Sequence, residues 1–270
     1  MIRYISILFT LLLFTSCEEV IEADVDTADP KLVIEASIDW EKNTPGKYQV
    51  IKLTTTAGYY NTEFPVVSNA EVFVMNSIGT RFDFTEQTGT GKYICDYFEP
   101  HTGETYTLTI NSEGQSYTAT ETMFASPDIK YYSQADEGGF IGDSKEIRYY
   151  YDDFAGERNF YLSVINANVL AFPDYDINSD EFFEGNEMFE LFIDEDIKQG
   201  DILNIRLYGI SERYYNFMNI LLDAAGGSGN PFQAVPVTAR GNIINTTNPD
   251  NYPLGYFRVS QVTAEDFTVR

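Results

Sequence analysis

From Lys31 to the C-terminus, this 270-residue chain is written in short runs of Val, Ile, Thr, Tyr and Phe that alternate with polar residues and are broken by Gly, Pro, Asn and Asp. Alternation with period two puts one set of side chains in a core and the other in water only if the backbone is extended. The runs at 31–39, 48–56, 70–76, 81–85, 91–96, 105–110 and 115–122 predict an N-terminal immunoglobulin-like β-sandwich over residues 31–126. Asn43-Thr44-Pro45-Gly46 and Ser112-Glu113-Gly114 supply the turns, with Gly available where positive φ is needed. Ser126-Pro127-Asp128 interrupts pairing and opens a second β-rich domain over 127–270, with runs at 129–133, 145–153, 159–169, 188–193, 202–209 and 255–262.

One segment has a longer period. Tyr214, Phe217, Met218, Leu221 and Leu222 stand at i, i+3, i+4, i+7 and i+8, which predicts an amphipathic helix near 211–225, N-capped by Ser211 and stopped by Gly226. The expected fold class is therefore mainly β: an immunoglobulin-like sandwich followed by a β-rich domain carrying one amphipathic helix.

The N-terminus carries a separate instruction. Arg3 precedes an apolar run at 5–14 that falls short of the roughly 20 residues needed to span a bilayer, and Thr15-Ser16 are the small residues a signal peptidase requires. Leu13-Phe14-Thr15-Ser16-Cys17 resembles a lipobox, so residues 1–16 read as a lipoprotein signal peptide and Cys17 as the acylated residue, palmitate included. An ordinary cleaved secretion signal is the alternative. Two or three acyl chains, at about 0.8 kcal/mol per buried CH₂, make a lasting anchor. Residues 17–30 hold six acids and no base, the composition of an extended acidic tether. Glu18, Glu19 and Glu22 directly behind the cysteine resemble a surface-export signal. The expected location is the outer membrane, lipid-anchored and displayed on the cell surface, with the periplasmic face as the alternative.

Charge narrows the partners. The chain carries 17 Lys+Arg against 42 Asp+Glu, a net charge of −25, and loss of Arg3 with the signal peptide leaves 16 against 42, or −26. Nucleic acid is excluded as a partner because its binding rests on cations that neutralise phosphates. With Cys17 acylated, Cys95 has no disulfide partner and reads as a buried structural thiol in the apolar run around it.

The chain is poor in catalytic constellations. His101 is the single histidine, in the turn Pro100-His101-Thr102-Gly103, and Gly226-Gly227-Ser228-Gly229 has the wrong spacing for a nucleophile elbow. Asp174, Asp176, Asn178 and Asp180 fall at positions 1, 3, 5 and 7 of an EF-hand-like register, which makes calcium the one candidate ligand, yet Ser179 stands where that loop needs Gly and Gly185 where it needs the bidentate acid. No other cofactor is expected. Neighbours such as Tyr149, Tyr150 and Tyr151 cannot all point inward, so some tyrosines are exposed and suit protein or glycan contacts. Tyr149, Tyr151, Asn230 and Phe232 are the binding candidates.

The opening Pro30-Lys31-Leu32-Val33-Ile34-Glu35-Ala36, the strand Gly103-Glu104-Thr105-Tyr106-Thr107-Leu108, Tyr117-Thr118-Ala119-Thr120, and the later Asn230-Pro231-Phe232, Gly241-Asn242-Ile243 and Leu254-Gly255-Tyr256-Phe257 carry a likeness. With the lipobox and acidic tether, they resemble the Bacteroidota lipoproteins grouped as domain of unknown function 4249. The resemblance implies an accessory role beside a TonB-dependent outer-membrane transporter and brings no catalytic residues. The expectation is a non-enzymatic, lipid-anchored accessory or substrate-binding protein. The alternatives are a glycan-active hydrolase using a carboxylate pair and a structural or adhesive envelope protein.

Overall fold

The computed structural model describes residues 29–58, 63–139, 142, 144–225 and 239–270. Cys17, Glu18, Glu19, Glu22, Gly226, Asn230 and Phe232 lie outside these residues. Strands β1 (Leu32–Glu41), β2 (Gln49–Thr55), β3 (Glu71–Asn76), β4 (Arg81–Gln87), β5 (Lys92–Cys95), β6 (Thr105–Ser112) and β7 (Gln115–Thr122) follow the runs expected of the first half. After them come β8 (Ile129–Gly138), β9 (Ser144–Asp152), β10 (Phe160–Asn166), β11 (Asp174–Ser179), β12 (Glu187–Asp194), β13 (Ile202–Ile210), helix α1 (Glu212–Ala224), β14 (Ile244–Asn245) and β15 (Leu254–Thr268).

Most strands join one sheet in the order β11-β10-β13-β15-β1-β2-β5-β4-β3-β6-β7-β14. This sheet folds over on itself because the alternate residues Ile34, Ile51, Val74, Leu108 and Ile110 must all reach the same core. β4 turns the corner, pairing with β3 through Arg81–Phe84 and with β5 through Thr85–Gln87. Cys95 is buried in that core, and burial raises its thiol pKa. His101 is exposed outside the strands, as expected of a turn residue.

A second sheet, β12-β9-β8, stacks on the far end of the first. Tyr149, Tyr151 and Phe192 from the smaller sheet meet Tyr161, Ile165, Leu203 and Phe267 from the larger. Helix α1 covers the opposite face: Met218 is buried, and Tyr214 and Phe217 pack against the cluster of Phe160, Leu162 and Val262. Ser211 caps it as expected, its Oγ accepting the Tyr214 amide at 3.2 Å, and Ala225 occupies the C-cap. The last predicted run is longer than expected. β15 pairs in parallel with β1 and antiparallel with β13.

That strand runs through both of the halves expected to divide at residues 126 and 127. Phe257 and Val259 belong to the core of the first half, whereas Phe267 and Val269 belong to that of the second. Ser126 does break the run, but it is no free linker: its Oγ donates to the Leu207 carbonyl at 2.7 Å, and the Pro127 carbonyl accepts from Thr263 Oγ1 at 2.7 Å. The local proline signal marks where a strand ends, while the sharing of β15 depends on a pairing more than 200 residues apart, which no local pattern carries. Parallel pairing also demands a close approach at Gly255, where φ is +98° and a Cβ would strike the Ile34 carbonyl.

Candidate functional site

The acidic stretch expected as a calcium loop is the edge strand β11. Its partner β10 places Asp174 opposite Ile165, Asp176 opposite Ser163 and Asn178 opposite Tyr161. Spacing of two, which mimicked the ligand positions of a loop, is thus the period of one strand face. Asp180 lies beyond the strand and is buried, with Oδ2 accepting the Asn159 amide at 2.8 Å, so it clamps the end of β11 to the start of β10 at the open end of the hairpin. Among the described residues no group of three or more His, Cys, Asp or Glu is placed to hold a metal ion.

Opposite this face stands Glu190 on β12. The two strands are edges of different sheets, and they bound a groove of about 240 Å³. Asp176, Asn178 and Ser179 line it from β11, and Met188, Glu190 and Leu191 from β12, with Phe183 of the connecting turn between them. Glu190 is only 2% exposed. Its Oε1 accepts the Tyr151 hydroxyl at 2.7 Å and its Oε2 accepts Asn178 Nδ2 at 2.7 Å, the second bond crossing from sheet to sheet. Behind it, Tyr149 donates to Ser163 Oγ at 2.6 Å, and Tyr161 donates to Asp153 Oδ1 at 2.6 Å.

Electrostatics follow from burial without a cation. The Glu190 carboxyl is pushed up to about 8 by desolvation, and Asp176 is raised for the same reason. Asp174 is also raised, first by burial and then by the negative charges of Asp176 and Asp194. Neither Lys nor Arg lines the groove. Glu190 is thus a neutral acid at pH 7 whose two oxygens are engaged within the protein, a geometry that joins sheets.

Tyr149 and Tyr151, expected as exposed binding residues, are 1% and 0% exposed. Three consecutive tyrosines satisfy either phase of a strand, and β9 turns the outer two inward and Tyr150 outward. Tyr150 meets Tyr131 of β8 on one side, with ring centroids 4.4 Å apart and nearly parallel, and Phe189 of β12 on the other at 5.8 Å. With Leu191 and Ile193 these residues form the outer face of the small sheet. Tyr131, Phe189, Leu191 and Ile193 are each between 39% and 45% exposed. Arg148 lies among them, paired with Glu146 at 2.6 Å, and Lys130 binds Asp152 and Glu187 at the rim.

The sequence reading missed Glu190 and the outer face. The signal for Glu190 was present: in Glu187-Met188-Phe189-Glu190-Leu191-Phe192 the acid falls in phase with Met188 and Phe192, which makes it an inward charge on an amphipathic strand.

A family model described as domain of unknown function (DUF4249) matches residues 18–266. No curated protein matches the chain. Among solved structures, a segment of two fibronectin type III domains from chicken tenascin aligns at 11% identity over 67% of this chain and 90% of its own, with a TM-score of 0.22. A DUF4785 family protein from Legionella pneumophila aligns at 10% identity over 68% of this chain and 53% of its own, with a TM-score of 0.27. The three FN domains FN1–FN3 of chicken CNTN1 align at 11% identity over 67% and 60%, with a TM-score of 0.22.

Proposed function

The chain belongs to the DUF4249 family, and on that premise we propose that it is a lipid-anchored outer-membrane protein that binds another protein without catalysing a reaction. The observation that carries this reading is the outer face of β12-β9-β8, where four large apolar side chains cluster around Arg148 and Tyr150 in a protein otherwise dominated by acids. Tyr131 and Tyr150 stack on each other, which takes one face of each ring away from a sugar and favours a protein partner over a glycan. The reading of Cys17 as the first residue of the mature chain rests on the lipobox-like Leu13-Phe14-Thr15-Ser16-Cys17. The buried acid Glu190 supports a structural use of the carboxylates, since both its oxygens are held by Tyr151 and Asn178. The partner proposed is a TonB-dependent transporter at the cell surface, with Cys17 holding the chain in the outer leaflet and residues 17–30 as the spacer.

The test is mild crosslinking of native outer membranes followed by capture of the acylated chain, with protease shaving of intact cells in parallel. Recovery of a transporter together with protease sensitivity is the expected result, and Phe189→Asp with Leu191→Asp abolishes the recovery. A protease-protected protein recovered alone overturns the proposal.

A further inference from the structure

Sheet edges carry unpaired backbone donors and acceptors, and proteins blunt them with short strands, charges, prolines or bulges. Among the described residues the two sheets have four edges, and three are blunted. β14 is two residues long. β11 carries Asp174 and Asp176. β8 breaks register twice against β9, between Ile129 and Tyr131 and between Ala135 and Gly138.

β12 carries acids too, but Glu187 and Asp194 stand at its two ends and Glu190 is turned inward, so the exposed middle of the strand is apolar. It runs in unbroken register along β9 from Glu187 opposite Asp152 to Asp194 opposite Lys145, with no Pro, Lys, Arg or bulge. Its outward residues Phe189, Leu191 and Ile193 are exposed. Along the whole strand, alternate backbone groups point away from β9 toward the groove side.

We propose that β12 is a docking edge on which an extended segment of a partner protein adds a fourth strand, with a Lys or Arg side chain of that segment reaching Asp176 and Asp174 across the groove. This inference rests on the protein-binding reading above and specifies its site. An added strand sits about 4.8 Å beyond β12, and stacked sheets lie about 10 Å apart, so an inward Lys or Arg of the new strand spans the gap to the flank of β11. Charge selects the occupant. The groove offers the carboxylate of Asp176, with Asp174 two residues along the same strand face, and no cation lines it, so a basic side chain gains where an acidic one is repelled. A second copy of this chain would bring its own net charge of −25 and its own acids to the same edge. Apolar side chains at alternate positions of the guest strand extend the exposed face formed by Phe189 and Leu191.

The experiment pans a phage-displayed library of random dodecapeptides against the full-length chain in detergent micelles. Enriched peptides are expected to alternate apolar and polar residues around one Lys or Arg, to bind at least 10-fold more weakly when that residue is changed to Glu, and to slow hydrogen exchange at amides of β12. Asp176→Asn and Asp174→Asn, each checked by thermal melting, are expected to weaken binding at least 5-fold. Because the Lys-to-Glu exchange is made in the peptide, the test stands even where a protein variant fails to fold. The inference is overturned by a selection that enriches nothing or no basic residue, by protection outside β12, or by sedimentation showing a dimer of this chain that Leu191→Asp dissolves. A transporter crosslinked away from β12 defeats the groove and leaves the transporter reading standing. Peptide binding at β12 with no membrane partner recovered does the reverse.

Discussion

Asn178 Nδ2 lies 2.7 Å from Glu190 Oε2, and this bond ties the edge strand of the large sheet to the edge strand of the small one. Two stacked sheets are ordinarily held by apolar side chains alone. Here the open side of the stack is closed by an acid that burial keeps protonated.

Glu190 therefore makes stability depend on pH. In the folded chain the carboxyl holds its proton up to about 8, against 4.5 for the free group. Between those values the folded state binds the proton and the unfolded state does not, so this group's contribution is complete below 4.5, falls as pH rises toward 8 and levels off above it. The fall is on the order of 5 kcal/mol across the window. Glu190→Gln, which stays neutral, is expected to lose that dependence. Urea melts at pH 5, 7 and 9 check it: wild type drops relative to the variant at each step, and parallel curves would falsify the assignment.

Tyr151→Phe removes the hydroxyl that donates to Glu190 Oε1 and leaves a buried oxygen without that donor. A loss of about 1–3 kcal/mol is expected at pH 7. In the Glu190→Gln background the cost should change, because the two residues are in direct contact. A double-mutant cycle by urea denaturation reads this out, with exact additivity as the contrary result.

Arg258 is buried between the rings of Tyr208 and Tyr214, paired with Asp39 at 2.8 Å, while its Nε and Nη1 have no hydrogen-bond partner. A buried cation so poorly satisfied contributes little net stability, and the Asp39 side chain is 33% exposed although its Oδ1 is buried. Arg258→Met is accordingly expected to match wild type within about 1 kcal/mol or exceed it. Arg258→Ala opens a cavity and loses both ring contacts, at a cost of about 2–5 kcal/mol. Equal losses in the two variants, measured by calorimetry, would count against this account.

Gly255→Ala places a Cβ against the Ile34 carbonyl at φ +98°. Destabilisation beyond about 1 kcal/mol follows, a fall in Tm of at least about 2 °C. Ala at Gly114, where φ is +77° but the space is open, should cost less. Thermal melts of the two variants side by side decide it.

Local pattern carried much of this architecture. The runs at 31–39 and 115–122 alternate so regularly that β1 and β7 are readable within two residues, and the i, i+3, i+4 spacing from Tyr214 to Leu222 with Ser211 ahead of it locates α1. β11 escaped because Asp174 and Asp176 are poor strand formers whose spacing of two also suits a metal loop. The outer face of the small sheet escaped because Tyr149-Tyr150-Tyr151 reads alike in either phase. Glu190 was visible as a charge in the apolar phase of β12, but that it meets Asn178 was not.

What the amino-acid order determined by itself is the set of strands, the single helix and its cap, and the acidic charge that limits the partners, since each depends on residues a few positions apart. Tertiary structure alone decided that β15 lies beside β1, that both cores share it, that Asp176 and Glu190 face each other across a groove, and that β12 is left as an open edge. Those relations arise when strands distant in the chain pair and stack, and the energy that selects among pairings is burial summed over the whole sheet, which no short window of sequence contains.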